Sequence, residues 1–208
     1  SVPDGISRLL HLEVLQLWNN SFSGSLPFDL GRNSPLQWVD VSSNSFSGPV
    51  PPSLCHGGAL AKLILFRNGF SGPIPGNFTT CSSIIRVRMQ NNLLSGNIPL
   101  GFGNLKNLRR FELADNSLSG TIPGDLASSS SLTSIDLSRN RLNSSLPSSI
   151  FSLAQLESFL AAGNELEGKI PDQFQDCFTL SVIDLSSNCL TGMIPRGIVS
   201  CGKLVNIN

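Results

Sequence analysis

The sequence is poor in charge and contains no tyrosine. Lysine and arginine together number 14, as do aspartate and glutamate, so only 13% of the 208 residues are charged and the net charge is +0. A balanced chain of this kind has no basic field that would attract nucleic acid. The sequence also lacks a signal peptide and any apolar run long enough to cross a bilayer. Any recognition site is therefore expected to be a local feature of the surface.

The residues needed for an enzyme or a metal site are missing as well. His11 and His56 fall in loops of different segments, without a serine or cysteine nucleophile and an orienting acid beside them. The five cysteines contain no Cys-x-x-Cys pair and no cluster with histidine, which argues against zinc. Asp136 and Asp184 are expected to lie about 10 Å apart on a sheet, as solvated residues and not as a catalytic pair. The sequence therefore predicts no enzyme activity, no metal and no cofactor.

What the sequence has in abundance is repetition, with a period of 24 residues. Asparagine, proline and glycine each occupy one column of the repeat, and Ser144 is the one departure from the glycine column. The columns are Asn20, Asn44, Asn68, Asn92, Asn116, Asn140, Asn164 and Asn188; Pro3, Pro27, Pro51, Pro75, Pro99, Pro123, Pro147, Pro171 and Pro195; and Gly24, Gly48, Gly72, Gly96, Gly120, Gly168 and Gly192. Apolar residues keep the same register, at −8, −5, −3, +2, +6 and +10 from each asparagine.

This period predicts a leucine-rich-repeat solenoid of the plant type, with one short strand and a helical or 3₁₀ return in each coil. The strands are expected to form a parallel β-sheet on the concave face, with short 3₁₀ and irregular returns on the convex face of a right-handed superhelix. Neighbouring coils share one core, and each column asparagine is expected to be buried and bonded to the backbone of the adjacent coil. We expect residues 1–208 to be one solenoid fragment of eight complete coils, with partial coils at both ends and without caps, a transmembrane segment or a kinase domain.

Aromatic side chains are predicted on the outer side of the concave sheet. Positions −6, −4 and −2 from each asparagine face away from the core, and both tryptophans, Trp18 and Trp38, fall there with Ile64 and Phe66 beside them. Exposed aromatic clusters commonly mark contact sites, and we therefore predict that these side chains contact a ligand. The alternative is that strands simply favour aromatic residues.

Basic side chains form a second group on the same side of the sheet. Lys62, Arg86 and Arg110 are expected to stack in one column, with Arg88 next to Arg86, although like charges on neighbouring strands cost about 0.2–1 kcal/mol per pair. Arg86 and Arg88 share a face at roughly 6.5–7 Å along the strand and could converge on one carboxylate. The alternative is a solvated face partly neutralised by Glu112, which is expected to neighbour Arg88. This alternative is more serious for Arg110 than for Arg86 and Arg88.

Three glycosylation sequons and five cysteines favour an extracellular setting. The sequons begin at Asn19, Asn77 and Asn143. Cys55 and Cys81 lie on the return side of adjacent coils and could meet the Cα separation of a disulfide. Cys177 and Cys201 occupy one column, but stacking alone is not expected to join them, and a small buried hydrophobe is the alternative for these residues.

The amino-acid sequence of the repeat resembles that of a known family. Residues 92–99 and 116–123 both read Asn-x-Leu-Ser-Gly-x-Ile-Pro, which resembles the plant-type leucine-rich repeat, and the resemblance covers essentially the whole chain. Leu17-Trp18-Asn19-Asn20 and Arg86-Val87-Arg88, together with the segment 53–57, resemble the ectodomains of plant receptor-like kinases. Among these, the chain is most similar to the peptide-perceiving group around the phloem-intercalated-with-xylem (TDIF) receptor.

The resemblance implies a ligand and a site. Arg86 and Arg88 are similar to the Arg-x-Arg motif with which such receptors hold the free C-terminal carboxylate of a small secreted peptide of the CLE/TDIF class. The peptide would lie extended along the concave face, and its earlier residues would cross Asp40, Phe66, Trp38 and Trp18. Lys62, Gln90 and Arg110 are added to the predicted ligand-binding residues because they lie beside Arg86 and Arg88 on the same face. A SERK-type co-receptor ectodomain would be the second partner. The parent protein would be a single-pass plasma-membrane receptor with an intracellular Ser/Thr kinase domain.

Two other functions stay open at this stage. A secreted inhibitor resembling the polygalacturonase-inhibiting proteins uses the same repeat, but would need a broad surface for a folded partner. A purely structural or accessory solenoid would leave Arg86 and Arg88 as ordinary solvated residues. The narrow track of aromatic and then basic side chains favours an extended peptide.

Overall fold

The computed structural model describes all 208 residues and contains two parallel sheets joined by short 3₁₀ turns. Strands are numbered in chain order. The first sheet has nine strands: β1 (Val14–Gln16), β3 (Trp38–Asp40), β5 (Lys62–Ile64), β7 (Arg86–Arg88), β9 (Arg110–Glu112), β11 (Ser134–Asp136), β13 (Ser158–Leu160), β15 (Val182–Asp184) and β17 (Asn206–Ile207). Each strand comes from one coil and pairs only with its neighbours in the series, as the predicted solenoid requires.

A second parallel sheet of eight strands lies in the part of each coil for which the sequence predicted only 3₁₀, short helical and irregular returns. Its strands are β2 (Ser23–Gly24), β4 (Ser45–Gly48), β6 (Gly69–Gly72), β8 (Leu93–Asn97), β10 (Ser117–Gly120), β12 (Arg141–Ser144), β14 (Glu165–Lys169) and β16 (Cys189–Thr191). Its outward positions carry mainly serine and glycine, which are poor strand formers, so the stacking of the coils imposes the strand conformation. The glycine column has positive φ, and Ser144 adopts the same conformation at φ 72.

The remaining regular structure consists of seven short 3₁₀ helices. They span Asp4–Arg8, Pro52–Cys55, Gly76–Thr80, Phe102–Asn104, Gly124–Ser128, Ile150–Ser152 and Arg196–Ser200. Most of them follow a residue of the proline column, whose fixed φ sets the chain up for the turn. No helix is long and apolar enough to span a membrane.

The space between the sheets and the 3₁₀ turns is one continuous core. A single cluster of 48 buried apolar residues runs from Val2 to Cys201. Phenylalanines in the +2 column stack from coil to coil, with ring centroids 6.2 Å apart between Phe22 and Phe46 and again between Phe46 and Phe70. The predicted shared core is therefore confirmed.

The asparagine column forms a ladder of hydrogen bonds through this core. Asn92 Nδ2 donates to the carbonyl oxygens of Met89 in its own coil and Leu65 in the preceding coil, both at 3.1 Å. Asn92 Oδ1 accepts the backbone N–H of Phe70 at 3.0 Å. Other members of the column repeat this pattern, whereas Asn20 in the first coil is exposed and bonds only within its own coil. The predicted bonding of the amide to the adjacent coil is confirmed.

Two disulfides join neighbouring coils. Cys55 is bonded to Cys81 with a Cα separation of 5.8 Å, which is the predicted pair. Cys177 is bonded to Cys201 with a Cα separation of 4.8 Å, and the expectation that stacking would not join them was wrong. Because Cys177 and Cys201 occupy the same position in consecutive coils, the coil spacing itself brings their Cα atoms within disulfide range. Cys189 is free and exposed.

Candidate ligand-binding surface

The first sheet sets the neighbours of each candidate side chain. Strand β7 pairs in parallel with β5 and β9, so that Arg86 lies between Lys62 and Arg110, and Arg88 lies beside Glu112. This is the register that the repeat predicted. The outer face of the first sheet therefore brings the four basic residues together on three consecutive strands.

Glu112 is the acceptor at the centre of this group. Its Oε2 atom accepts a hydrogen bond from Arg88 Nε at 2.6 Å and another from Gln90 Nε2 at 3.2 Å. Arg110 Nη1 is farther away, at 3.8 Å from Glu112 Oε1. The expectation that Glu112 neighbours Arg88 is confirmed, and Arg88 on the adjacent strand is a closer partner of Glu112 than Arg110 is. The Glu112 side chain keeps only 13% of its surface exposed.

Arg86 differs from Arg88 in having no acidic partner. All four ion pairs of the structure involve other residues, and Arg86 donates no side-chain hydrogen bond. Its flanking neighbours across the strands, Lys62 and Arg110, are both cationic. The positive potential of the group is therefore least compensated at Arg86, and an incoming anion would be attracted most strongly there.

Two of the cations lie on the aromatic rings. Lys62 Nζ is 3.8 Å from the centroid of the Trp38 ring, and Arg88 Cζ is 4.7 Å from the centroid of Phe66. Both arrangements are cation–π contacts, and both cover part of a ring that the sequence placed in an exposed cluster. Only Trp18 stays widely open, with 57% of its surface exposed.

Several outward positions are more covered than the repeat predicted. Ile64 is only 5% exposed, and Ser42, Ala114 and Ser138 are buried as well. Their small or medium side chains do not rise above the long side chains on neighbouring strands. Asp40 is half-buried and accepts both the backbone N–H and the hydroxyl of Ser42, at 3.1 and 2.6 Å, so its carboxylate braces the turn after β3.

An acidic residue follows the basic group. Asp136 on β11 lies directly opposite Glu112. Burial raises the pKa of Asp136, and the charge of Glu112 raises it further. Hydrogen bonds from Ser138 lower the pKa, but they do not outweigh the burial. Asp184 has the same position two coils on, and there burial also raises the pKa, but hydrogen bonds led by those from Ser186 outweigh it and lower the value. The two aspartates, both expected to be solvated, thus differ in their surroundings.

A surface depression of ≈ 550 Å³ lies away from these residues. It is lined at the edge between the two sheets by Asn44–Ser47, Arg67–Gly69 and Asn91. The outer face of the first sheet is an open surface, unlike the enclosed apolar pockets that hold small molecules. A ligand on this face would be held by side chains along a track.

The three sequon asparagines are exposed. Asn19 follows the exposed Trp18, Asn77 lies in the 3₁₀ helix Gly76–Thr80, and Asn143 lies on β12 of the second sheet. None of the three shares the outer face of the first sheet with Arg86. Glycosylation at these positions stays a prediction, and glycans at Asn77 and Asn143 would not cover the basic group.

Comparisons with known proteins agree with this architecture. The Leucine Rich Repeat family matches residues 11–33, 35–56, 107–129, 131–153 and 179–201, which is more than half of the chain. No curated protein sequence matches the chain.

Solved structures match along the whole chain. A TDR receptor is 45% identical with a TM-score of 0.96 and is covered over 36% of its own chain. The plant peptide hormone receptor RGFR1 in complex with RGF2 is 38% identical, with a TM-score of 0.93 over 33% of its chain. The Arabidopsis receptor kinase HAESA, in complex with the peptide hormone IDA and the co-receptor SERK1, is 36% identical, with a TM-score of 0.88 over 39% of its chain. All three alignments cover 100% of the present chain.

The chain thus spans between 33% and 39% of the length of these receptors. The family match and the structural matches lead to the same assignment. The chain belongs to the leucine-rich-repeat family and is similar over its whole length to the ectodomains of plant peptide-hormone receptors.

Proposed function

We propose that this chain is an extracellular ligand-binding module of a plant receptor kinase and that it captures a small secreted peptide of the CLE/TDIF class. The free C-terminal carboxylate of the peptide would bind at Arg86 and Arg88. The observation that carries the proposal is the unpartnered guanidinium of Arg86 between two further cations on an open face. Arg forks match carboxylate geometry, and the pair would receive the peptide end from one side.

The rest of the peptide would extend across the earlier strands. Trp18 offers an exposed ring, while Trp38 and Phe66 offer ring edges beside the cations that cover them. Proline-rich peptides are already largely extended before binding, so they lose little conformational entropy on aromatic surfaces of this kind. Gln90 and Asp40 would contribute less direct contacts, because both already hold neighbouring side chains.

A co-receptor ectodomain of the SERK type is the second proposed partner. Support comes from the similarity to HAESA, which was solved with a peptide hormone and the co-receptor SERK1. The bound peptide would be presented on the same outer face, where a second solenoid could contact both ligand and receptor. The kinase activity of a parent protein would lie outside these 208 residues.

Calorimetric titration with synthetic CLE-type dodecapeptides tests the proposal. Each peptide would be supplied with a free and an amidated C-terminus, and we expect binding that collapses on amidation. Charge-assisted hydrogen bonds are worth about 1.5–3 kcal/mol each, so replacing both Arg86 and Arg88 by Ala should weaken binding by at least about a hundredfold. Arg141→Ala is the matched control, because Arg141 is exposed on the second sheet.

Two other outcomes would redirect the proposal. Binding that is indifferent to amidation would move the site away from the arginines. No binding to any peptide would favour the inhibitor-like or scaffold alternatives, for which folded partner proteins are the next ligands to titrate.

A further inference from the structure

We infer that Glu112 is a positioning residue for the carboxylate site, because it selects which nitrogen atoms of Arg88 remain available to a ligand. This inference rests on the proposed function. The sequence presents Glu112 as a neutralising charge that should weaken the attraction for an anion. The geometry assigns it a different role, since it holds one edge of the Arg88 guanidinium and leaves the other edge open.

The first step of the argument is the hydrogen bond itself. Arg88 donates from Nε to Glu112 Oε2 at 2.6 Å, and its two terminal Nη groups make no hydrogen bond. A guanidinium has five N–H donors in a fixed plane. With Nε occupied, four donors remain on the terminal nitrogens, which form the outer fork of the side chain.

The second step is the restraint on the plane of the Arg88 guanidinium. Phe66 on the preceding coil lies 4.7 Å from Arg88 Cζ, so one face of the guanidinium is covered while Glu112 fixes its edge. An arginine held on a face and an edge has lost most of its rotamer freedom before the ligand arrives. Ordering such a side chain during binding would lower the affinity by roughly 2- to 10-fold. Arg86 has no such restraint.

The third step explains why Glu112 turns toward Arg88. Asp136 lies opposite Glu112 on β11, so a second carboxylate repels Glu112 from that side. Gln90 Nε2 donates to the same Oε2 atom and adds a third group that draws the carboxylate toward β7. Attraction and repulsion therefore act in the same direction.

Replacing Glu112 distinguishes positioning from simple charge neutralisation, because the two roles predict opposite changes in the affinity for a free-acid peptide. If Glu112 only neutralised the arginines, Glu112→Ala would tighten binding of a free-acid peptide. If Glu112 positions Arg88, Glu112→Ala should weaken binding about fivefold, and Glu112→Gln, which keeps an acceptor oxygen for Nε, should restore part of the loss. Glu167→Ala is the control for net charge, since Glu167 is exposed on the second sheet. Binding to Glu112→Ala that is unchanged or tighter would overturn the inference.

A double-mutant cycle makes the coupling specific. In an Arg88→Ala background, Glu112→Ala should have little further effect on the affinity for the free-acid peptide. An undiminished fivefold effect in that background would show that Glu112 acts on the ligand by another route and would contradict the inference.

A measurement on the free protein distinguishes failure of this inference from failure of the proposed function. Nitrogen-15 NMR of arginine Nε–H groups should show two hydrogen-bonded signals, one from Arg88 and one from Arg139, whose Nε donates to Asp115. The Arg88 signal is the one that disappears in Arg88→Ala, and it should also disappear in Glu112→Ala while the Arg139 signal remains. An Arg88 signal that survives Glu112→Ala would overturn the positioning role whether or not any peptide binds. A wild-type protein that shows the signal but binds no carboxylate peptide would overturn the proposed ligand, and with it the purpose assigned to Glu112.

Discussion

Lys62 and Trp38 face each other across neighbouring strands, with the ammonium nitrogen 3.8 Å from the centroid of the indole ring. Because of this contact, the two tryptophans of the chain differ in how much of the ring a ligand can reach. Trp38 is half-buried and covered by a cation, whereas Trp18, which lies just after β1, is 57% exposed. A peptide that crosses this face would meet Trp18 as an open ring and Trp38 as a covered one.

The first prediction uses this difference. We expect peptide binding to change the tryptophan fluorescence mainly through Trp18, because its ring is the one that loses water on contact. Trp18→Phe should remove most of the ligand-induced change, while Trp38→Phe should retain most of it. Steady-state fluorescence during a peptide titration measures both. A change that follows Trp38 instead would mean that the ligand displaces Lys62.

The second prediction concerns the asparagine ladder. Asn92→Ala leaves Leu65 O, Met89 O and Phe70 N–H without their buried partner, and each such group costs about 1–3 kcal/mol. We expect the free energy of unfolding in urea to fall by at least about 2 kcal/mol. Asn20→Ala is the matched control and should cost less than about 1 kcal/mol, because its side chain is exposed. Equal losses at the two positions would contradict the ladder as a source of stability.

Much of the fold could be predicted because the repeat encodes it directly. A strict period sets the strand register, so the placement of Arg86 between Lys62 and Arg110 followed from counting. The second sheet could not be predicted in this way. Its outward serines and glycines have low strand propensity, and only the stacking of complete coils gives their backbones partners.

The site was predicted less completely than the fold. Counting places Arg88 across from Glu112 at a strand spacing of about 4.8 Å, so this pair was predicted from the sequence. The burial of Ile64 and the capping of Trp38 were not, because they depend on how far long neighbouring side chains fold over the face. The period of the repeat thus predicts where each side chain lies on the sheet, whereas its exposed fraction depends on how the neighbouring side chains pack.

The third prediction tests the disulfide that the sequence reading missed. With Cys55–Cys81 and Cys177–Cys201 both formed, thiol titration of the unfolded, non-reduced protein should find one free thiol, from Cys189. Replacing Cys177 and Cys201 together by Ser should lower stability by about 3 kcal/mol, since the bridge closes a loop with a sequence separation of 24. Cys189→Ser should leave stability unchanged. Three free thiols in the unmodified protein would show that one bridge is absent.

The fourth prediction concerns the pH dependence of stability at two aspartates with opposite pKa shifts. Burial, and then Glu112, raise the folded-state pKa of Asp136 above 3.8, so its contribution to stability is fully present below that pH and is lost as the pH rises through the folded-state pKa. Asp136→Asn removes the charge and keeps an oxygen for the N–H of Ser138. The variant should therefore be more stable than the wild type at neutral pH, and the gain should vanish below pH 3.8.

Asp115 provides the matched control, because its pKa is shifted in the opposite direction. Its hydrogen bond with Arg139 lowers the folded-state pKa below 3.8, so it contributes stability above that pH that is lost as the pH falls through the folded value. Asp115→Asn should therefore be less stable at neutral pH, by about 0.2–1 kcal/mol for so exposed a pair. Urea unfolding of both variants between acid and neutral pH should give difference curves of opposite sign that converge in acid. Curves of the same sign would mean that the hydrogen bonds from Ser138 stabilise the Asp136 carboxylate more than burial penalises it.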